Sequence, residues 1–217
     1  MTPPKVKICC ISSVEEARLA VACGASALGL VSAMPSGPGV IDEDLIAEII
    51  RTVPPPIGTF FLTAQQHADA IIDQQKRCRP NTMQLVDAVA ELDLIRLRRA
   101  LPGIALVQVI HVTGPESIDE ACAVAPHVDA ILLDSGNQKL DVKELGGTGR
   151  AHDWTISRTI RERCGKPLFL AGGLKAENVR DAINQVQPWG LDLCSSVRSE
   201  GKLDAAKLVA FMRAALS

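Results

Sequence analysis

The feature that most restricts this chain is an alternation of two patterns, repeated eight times. Short apolar runs rich in Val, Ile and Leu read as strands: VKICCI (6–11), ALGLVS (27–32), IGTFFL (57–62), TMQLVD (82–87), IALVQVI (104–110), AILLDS (130–135), PLFLAGG (167–173) and GLDLCSS (190–196). Each is followed by a stretch with helical spacing of its apolar residues, from VEEARLAVACG after the first to DAAKLVAFMRAAL after the last. Several of these stretches have Ser, Asp or Thr near the start and Gly or Pro soon after the end, as helix boundaries prefer. Continuous apolar strands that alternate with helices imply a parallel sheet covered by those helices. Eight units of about 27 residues predict a (β/α)8 TIM barrel, one domain over residues 1–217. The rival, a doubly wound open sheet, needs a glycine-rich phosphate turn after an early strand, where this chain has CCISS.

Composition narrows the partners. With 47% hydrophobic content the 217 residues can bury a full core. The net charge is −2 and the basic residues are scattered, so no stripe suits a nucleic-acid backbone. The start, MTPPKVKICC, lacks a charged segment followed by a sustained apolar one, and no later run approaches the roughly 18 apolar residues of a membrane span. The expectation is a soluble, cytoplasmic protein, monomer or homodimer, with no nucleic-acid or membrane partner. Seven cysteines, at 9, 10, 23, 78, 122, 164 and 194, show no CxxC or other metal-site spacing and read as reduced thiols, with no metal.

A barrel of this class carries its site at the carboxyl ends of the strands. Those positions hold Cys9, Asp134 and three turns: GGTG (146–149) with Gly147 and Gly149, AGG (171–173) with Gly172 and Gly173, and CSS (194–196) with Ser195 and Ser196. Backbone N–H groups exposed in such turns make an anion site suited to a phosphate ester. A thiolate and a carboxylic acid facing each other above that cradle form an acid/base pair, as a sugar-phosphate isomerase requires. Taken singly each residue has a plainer reading: Asp134 as a turn residue, Cys9 as a small buried side chain. Cys9 and Cys10 cannot share one environment if both lie in a strand, because neighbouring side chains point to opposite faces.

Five segments, KIC (7–9), ILLD (131–134), GGTGRAHDW (146–154), LAGGL (170–174) with ENV (177–179), and LDLCSSV (191–197), together resemble the phosphoribosylanthranilate isomerase family of tryptophan biosynthesis, in order along nearly the whole chain. The resemblance implies a barrel that converts N-(5-phosphoribosyl)anthranilate, a small phosphosugar, to an aminoketose by an Amadori rearrangement, with no metal or organic cofactor. It implies Asp134 as general acid, opening the furanose to a Schiff base, and Cys9 as general base at C2. Cys9 then faces the barrel interior while Cys10 points outward and packs.

The chain departs from the family pattern at several points. Cys10 stands where the family has Gly, and Gly39, in PSGPGVI, where it has an arginine that clasps the anthranilate carboxylate. Val86 and Asp87 replace the end of QLHG, Ser196 replaces a loop Gly, and Arg198 replaces an acidic residue. Gln84 and Arg198 are candidates for substrate contact, the latter as a substitute for the missing arginine charge. His152 is placed near the site by its loop, although a solvated residue is the plainer reading. Met34, Phe60 and Phe61 read as core. The alternatives are a divergent member acting on another aminosugar phosphate and a non-catalytic barrel that binds a phosphate ligand.

Overall fold

The structure, a computed structural model, describes residues 3–136 and 152–216. Eight parallel strands close into a barrel in sequential order: β1 (Lys5–Ile8), β2 (Ala27–Val31), β3 (Gly58–Thr63), β4 (Thr82–Leu85), β5 (Ala105–His111), β6 (Ala130–Asp134), β7 (Leu168–Leu170) and β8 (Gly190–Leu193). The intervening helices are α1 (Val14–Ala22), α2 (Glu43–Thr52), α3 (Ala68–Cys78), α4 (Glu91–Ala100), α5 (Glu116–Val124), α6 (Trp154–Cys164), α7 (Val179–Val186) and α8 (Ala205–Leu216). Ring closure comes from β1 against β8, with Lys5 opposite Gly190 and Ile8 opposite Leu193. The predicted TIM barrel is therefore the observed one.

Alternation along each strand creates two separate apolar cores. Residues such as Ile8, Leu28, Phe61 and Leu133 face outward and meet the helices. Cys9, Val31, Leu62, Val109, Leu132 and Ala171 face inward and fill the barrel. The helix caps follow the composition of the sequence: Ser13 accepts from Glu16 N, Asp42 from Leu45 N, and Asp153 from Thr155 N. Within the inner core, Phe60 and Phe169 meet edge to face at 5.4 Å, and Phe169 meets Trp189 at 5.1 Å.

One inward pair is ionic. Lys7, fully buried, donates to Asp192 Oδ1 at 2.8 Å, and its ammonium lies 5.3 Å from the centroid of the Phe60 ring. Burial works against the charge on Lys7, but the Asp192 carboxylate outweighs it and holds the ammonium above its ordinary value. Both partners occupy strands joined by the closing ladder, Lys7 directly opposite Asp192.

Three strands end three residues earlier than their apolar runs suggest. The first stops at Ile8 because Cys10 adopts a left-handed conformation, φ +62°, and turns the chain away. The seventh stops at Leu170 before Gly172 and Gly173, both at positive φ. The eighth stops at Leu193, and a 3₁₀ turn follows at Ser195–Val197. A short antiparallel pair, Arg198–Ser199 with Lys202–Leu203, then leads into α8.

Candidate active site

At the carboxyl ends of the strands lies a cavity of about 300 Å³. Cys9 enters it from the end of β1 and Asp134 from the end of β6. Gly172 and Gly173 after β7, with Ser195 and Ser196 after β8, line the same cavity. The residues singled out on these four segments thus share one space. Gly147 and Gly149 lie outside the described residues.

Cys9 is anchored by its backbone, whose N–H donates to Leu193 O at 2.7 Å across the ring closure. Its sulfur rests on Gly29 of β2: a Cβ there would come 2.8 Å from Cys9 Sγ and 2.9 Å from Lys7 Nζ. Glycine is thus required at 29, and the buried ammonium lies next to the sulfur across it. Asp134, 9% exposed, accepts from Ser135 N at 2.7 Å through Oδ1, which fixes the carboxyl at the strand end.

Gln84 also reaches the cavity, from β4, and its buried Oε1 has no hydrogen-bond partner among the described residues. An acceptor left in that state is costly unless something occupying the cavity donates to it. His152 is half-buried rather than solvated, and its Nε2 lies 2.7 Å from Ser157 Oγ. Burial holds this imidazole below its ordinary value, with the charges of Asp134 and Asp153 opposing. Met34 lines the cavity, whereas Phe61 packs outward beneath the helices.

Two expectations require correction. Cys10 does not point outward: its left-handed backbone turns the side chain into the same cavity as Cys9. Arg198 does not line the cavity and is not placed to contact a substrate in it. Its guanidinium, on the far side of the Cys9–Cys10 backbone, bonds the carbonyls of Cys9, Cys10 and Gly201 and pairs with Glu16 at 2.9 Å. A cation so placed braces the loop that carries the sulfur and has its charge met by Glu16.

The position expected to hold arginine is closed sterically. Gly39 has φ +79°, and a Cβ on it would lie 2.9 Å from Cys10 Cα and closer still to Cys10 Cβ. Cys10 with a side chain and residue 39 without one are thus complementary choices. Val86 is buried in the inner core, and Asp87 Oδ1 accepts from Ala88 N, so neither lines the cavity.

Sequence reasoning missed Lys7, Asp192 and Lys175. Lys175, exposed just beyond Gly173, is the cationic side chain lining the cavity among the described residues. Lys7 and Asp192 had a signal, a charge in the middle of each of two otherwise apolar strands, VKI and GLDL. No group of His, Cys, Asp and Glu among the described residues is arranged to hold a metal ion. No helix among them is long and apolar enough to cross a membrane.

Comparison with known proteins agrees with this geometry. The family model for N-(5'phosphoribosyl)anthranilate (PRA) isomerase matches residues 6–214. N-(5'-phosphoribosyl)anthranilate isomerase 2 of Methanosarcina mazei is 35% identical over 97% of this chain and 93% of its own length. The isomerase of Thermosynechococcus vestitus is 33% identical over 95% of this chain and 87% of its own length. Among solved structures, phosphoribosyl anthranilate isomerase from Thermotoga maritima superposes with a TM-score of 0.84 at 27% identity, covering 98% of both chains. A second isomerase structure, in complex with reduced 1-(o-carboxyphenylamino)-1-deoxyribulose 5-phosphate, gives 0.81 at 26% identity, again over 98% of both. With a matching model along almost its entire length, a shared barrel and a common cavity for Cys9 and Asp134, the chain belongs to the N-(5'-phosphoribosyl)anthranilate isomerase family.

Proposed function

We infer that this chain isomerises N-(5'-phosphoribosyl)anthranilate to the corresponding 1-deoxyribulose 5-phosphate, using Asp134 as general acid and Cys9 as general base. The observation that carries the reading is the convergence of Cys9, Asp134 and two phosphate-type turns on one cavity. In the first step Asp134 gives its proton to the ring oxygen, the C1–O bond breaks, and the anilino nitrogen lone pair forms the iminium. In the second, Cys9 removes the proton from C2, and the electron pair left behind neutralises the iminium to an enolamine. Tautomerisation of that enolamine gives the aminoketose.

The N–H groups of Gly172, Gly173, Ser195 and Ser196 suit the phosphate, with Lys175 at the rim adding positive charge. Gln84 Oε1 is the acceptor that a sugar hydroxyl would satisfy. The aryl end is held by shape rather than by an arginine at 39, where Cys10 leaves no room.

The test is anthranilate fluorescence during substrate conversion by the whole chain, beside Cys9→Ser and Asp134→Asn. Each substitution should lower kcat by about 10²–10⁴-fold with little change in KM. Absence of turnover by the unsubstituted chain, or full turnover by either variant, overturns the assignment.

A further inference from the structure

Two cysteines that the reaction does not use meet at the edge of the cavity. Cys10 follows β1 and Cys194 follows β8, and the distance between their sulfurs is 2.7 Å. We propose that Cys10 and Cys194 form a redox-responsive dithiol, which closes into a disulfide across the junction of the first and last strands and leaves Cys9 a free thiol.

The geometry is fixed by the barrel itself. The last pair of the ladder is Ile8 with Leu193, and Cys10 and Cys194 follow it by two residues and one residue at the same corner of the barrel; disulfides span Cα separations of roughly 4.4–6.8 Å. Three features seat Cys10 facing its partner: its left-handed backbone, the missing side chain at Gly39, and the Pro38 carbonyl 3.6 Å from its sulfur. A covalent S–S bond is about 2.05 Å long, so a movement of less than about 1 Å joins the two. Cys9 is a poor alternative partner for Cys10, because adjacent Cα atoms are only about 3.8 Å apart, short of that span.

The two sulfurs are also unequal. The hydrogen bond shared with Cys10 holds Cys194 below the ordinary thiol value, against burial and with help from the Arg198 charge. Its bonds to Cys194 and Cys9, together with burial, push Cys10 up. Cys194 is also the more exposed of the two, so it is the nucleophile and Cys10 the resolving thiol. A second sulfur pair, Cys122 with Cys164 at 3.6 Å, lies between α5 and α6, away from the residues that line the cavity.

With a small disulfide such as oxidised glutathione as oxidant, the Cys194 thiolate attacks one glutathione sulfur and expels the other half as a thiolate. Cys10 then loses its proton to solvent and attacks Cys194 Sγ, releasing the second glutathione thiolate. Two protein thiols are oxidised, one glutathione disulfide is reduced, and the two glutathione thiolates take up the protons that the protein thiols give up. The product links positions 184 residues apart, so it restricts nearly the whole unfolded chain.

The experiment uses the full chain carrying Cys122→Ser and Cys164→Ser, which lie far from the cavity, and does not depend on the substrate assignment. After equilibration with oxidised glutathione, two thiols should disappear from the thiol titration and peptide mapping should join Cys10 to Cys194. Cys9 should remain alkylatable, the Tm should rise by roughly 10 °C, and dithiothreitol should reverse each change. Cys10→Ser or Cys194→Ser in the same background should abolish the cross-link. An undiminished thiol count, a disulfide that includes Cys9, or a cross-link without a rise in Tm overturns the proposal.

Discussion

Cys10 and Gly39 compete for one volume, and their coupling can be measured as stability. Gly39→Ala puts a methyl group 2.9 Å from Cys10 Cα, and nearer its Cβ, on a backbone with φ +79°. Left-handed backbone costs a non-glycine residue about 1–2 kcal/mol, and overpacking a tight site adds about 1–3 kcal/mol. The single variant should therefore lose about 2–5 kcal/mol. Cys10→Gly releases its own left-handed strain, φ +62°, but gives up a buried side chain and loosens the unfolded chain. Those contributions offset each other to within about 1 kcal/mol. In the Cys10→Gly background only the backbone cost of Gly39→Ala remains, so the double variant should recover about 1–3 kcal/mol relative to additivity. Urea unfolding followed by far-UV circular dichroism, on the four proteins of the cycle, reads this directly. Additivity within about 0.5 kcal/mol would refute the claim that the two positions share a space.

Lys7→Met strands Asp192 as an unpaired buried carboxylate and should cost about 3–5 kcal/mol in urea unfolding, whereas adding Asp192→Leu should restore most of it. No recovery in the double variant would mean that the ammonium acts through something other than its partner. Glu16 supplies an acid-dependent part of stability. Burial opposes its charge, but the Arg198 guanidinium and the N–H groups of Leu203 and Ser12 hold its carboxyl below the ordinary 4.5. Its contribution is complete above that value and is lost as pH falls through the lowered folded-state pKa, so Glu16→Gln should flatten the acid limb of the stability profile. Equal loss between pH 6 and pH 3 in both proteins, by chemical denaturation, would contradict it.

The strand count was legible because each apolar run is short, is bounded by turn residues and is followed by a helix pattern, and Gly172 and Gly173 declared their turn because few other residues accept positive φ. Asp134 was legible as a charge at the end of an apolar strand. The direction of Cys10 was not, because strand alternation stops at Ile8 and the sign of one φ angle decides the rest. That angle depends on contact with the segment around Gly39, which no local pattern encodes. The pairings of Arg198 and Lys7 were opaque for a common reason: their partners, Glu16 and Asp192, lie 182 and 185 residues away and meet them only when the ring closes.

The join between β1 and β8 also sets the order in which this protein can be made. During synthesis on a ribosome, Lys7 emerges near the beginning and its counter-ion near the end, as does Leu193, whose carbonyl receives the Cys9 amide. A nascent chain carrying six or seven strands has no means of dehydrating that lysine, so a premature, sealed half-ring is disfavoured. The Lys7 ammonium meets its carboxylate, and the Cys9 amide its carbonyl, only once the last strand has arrived.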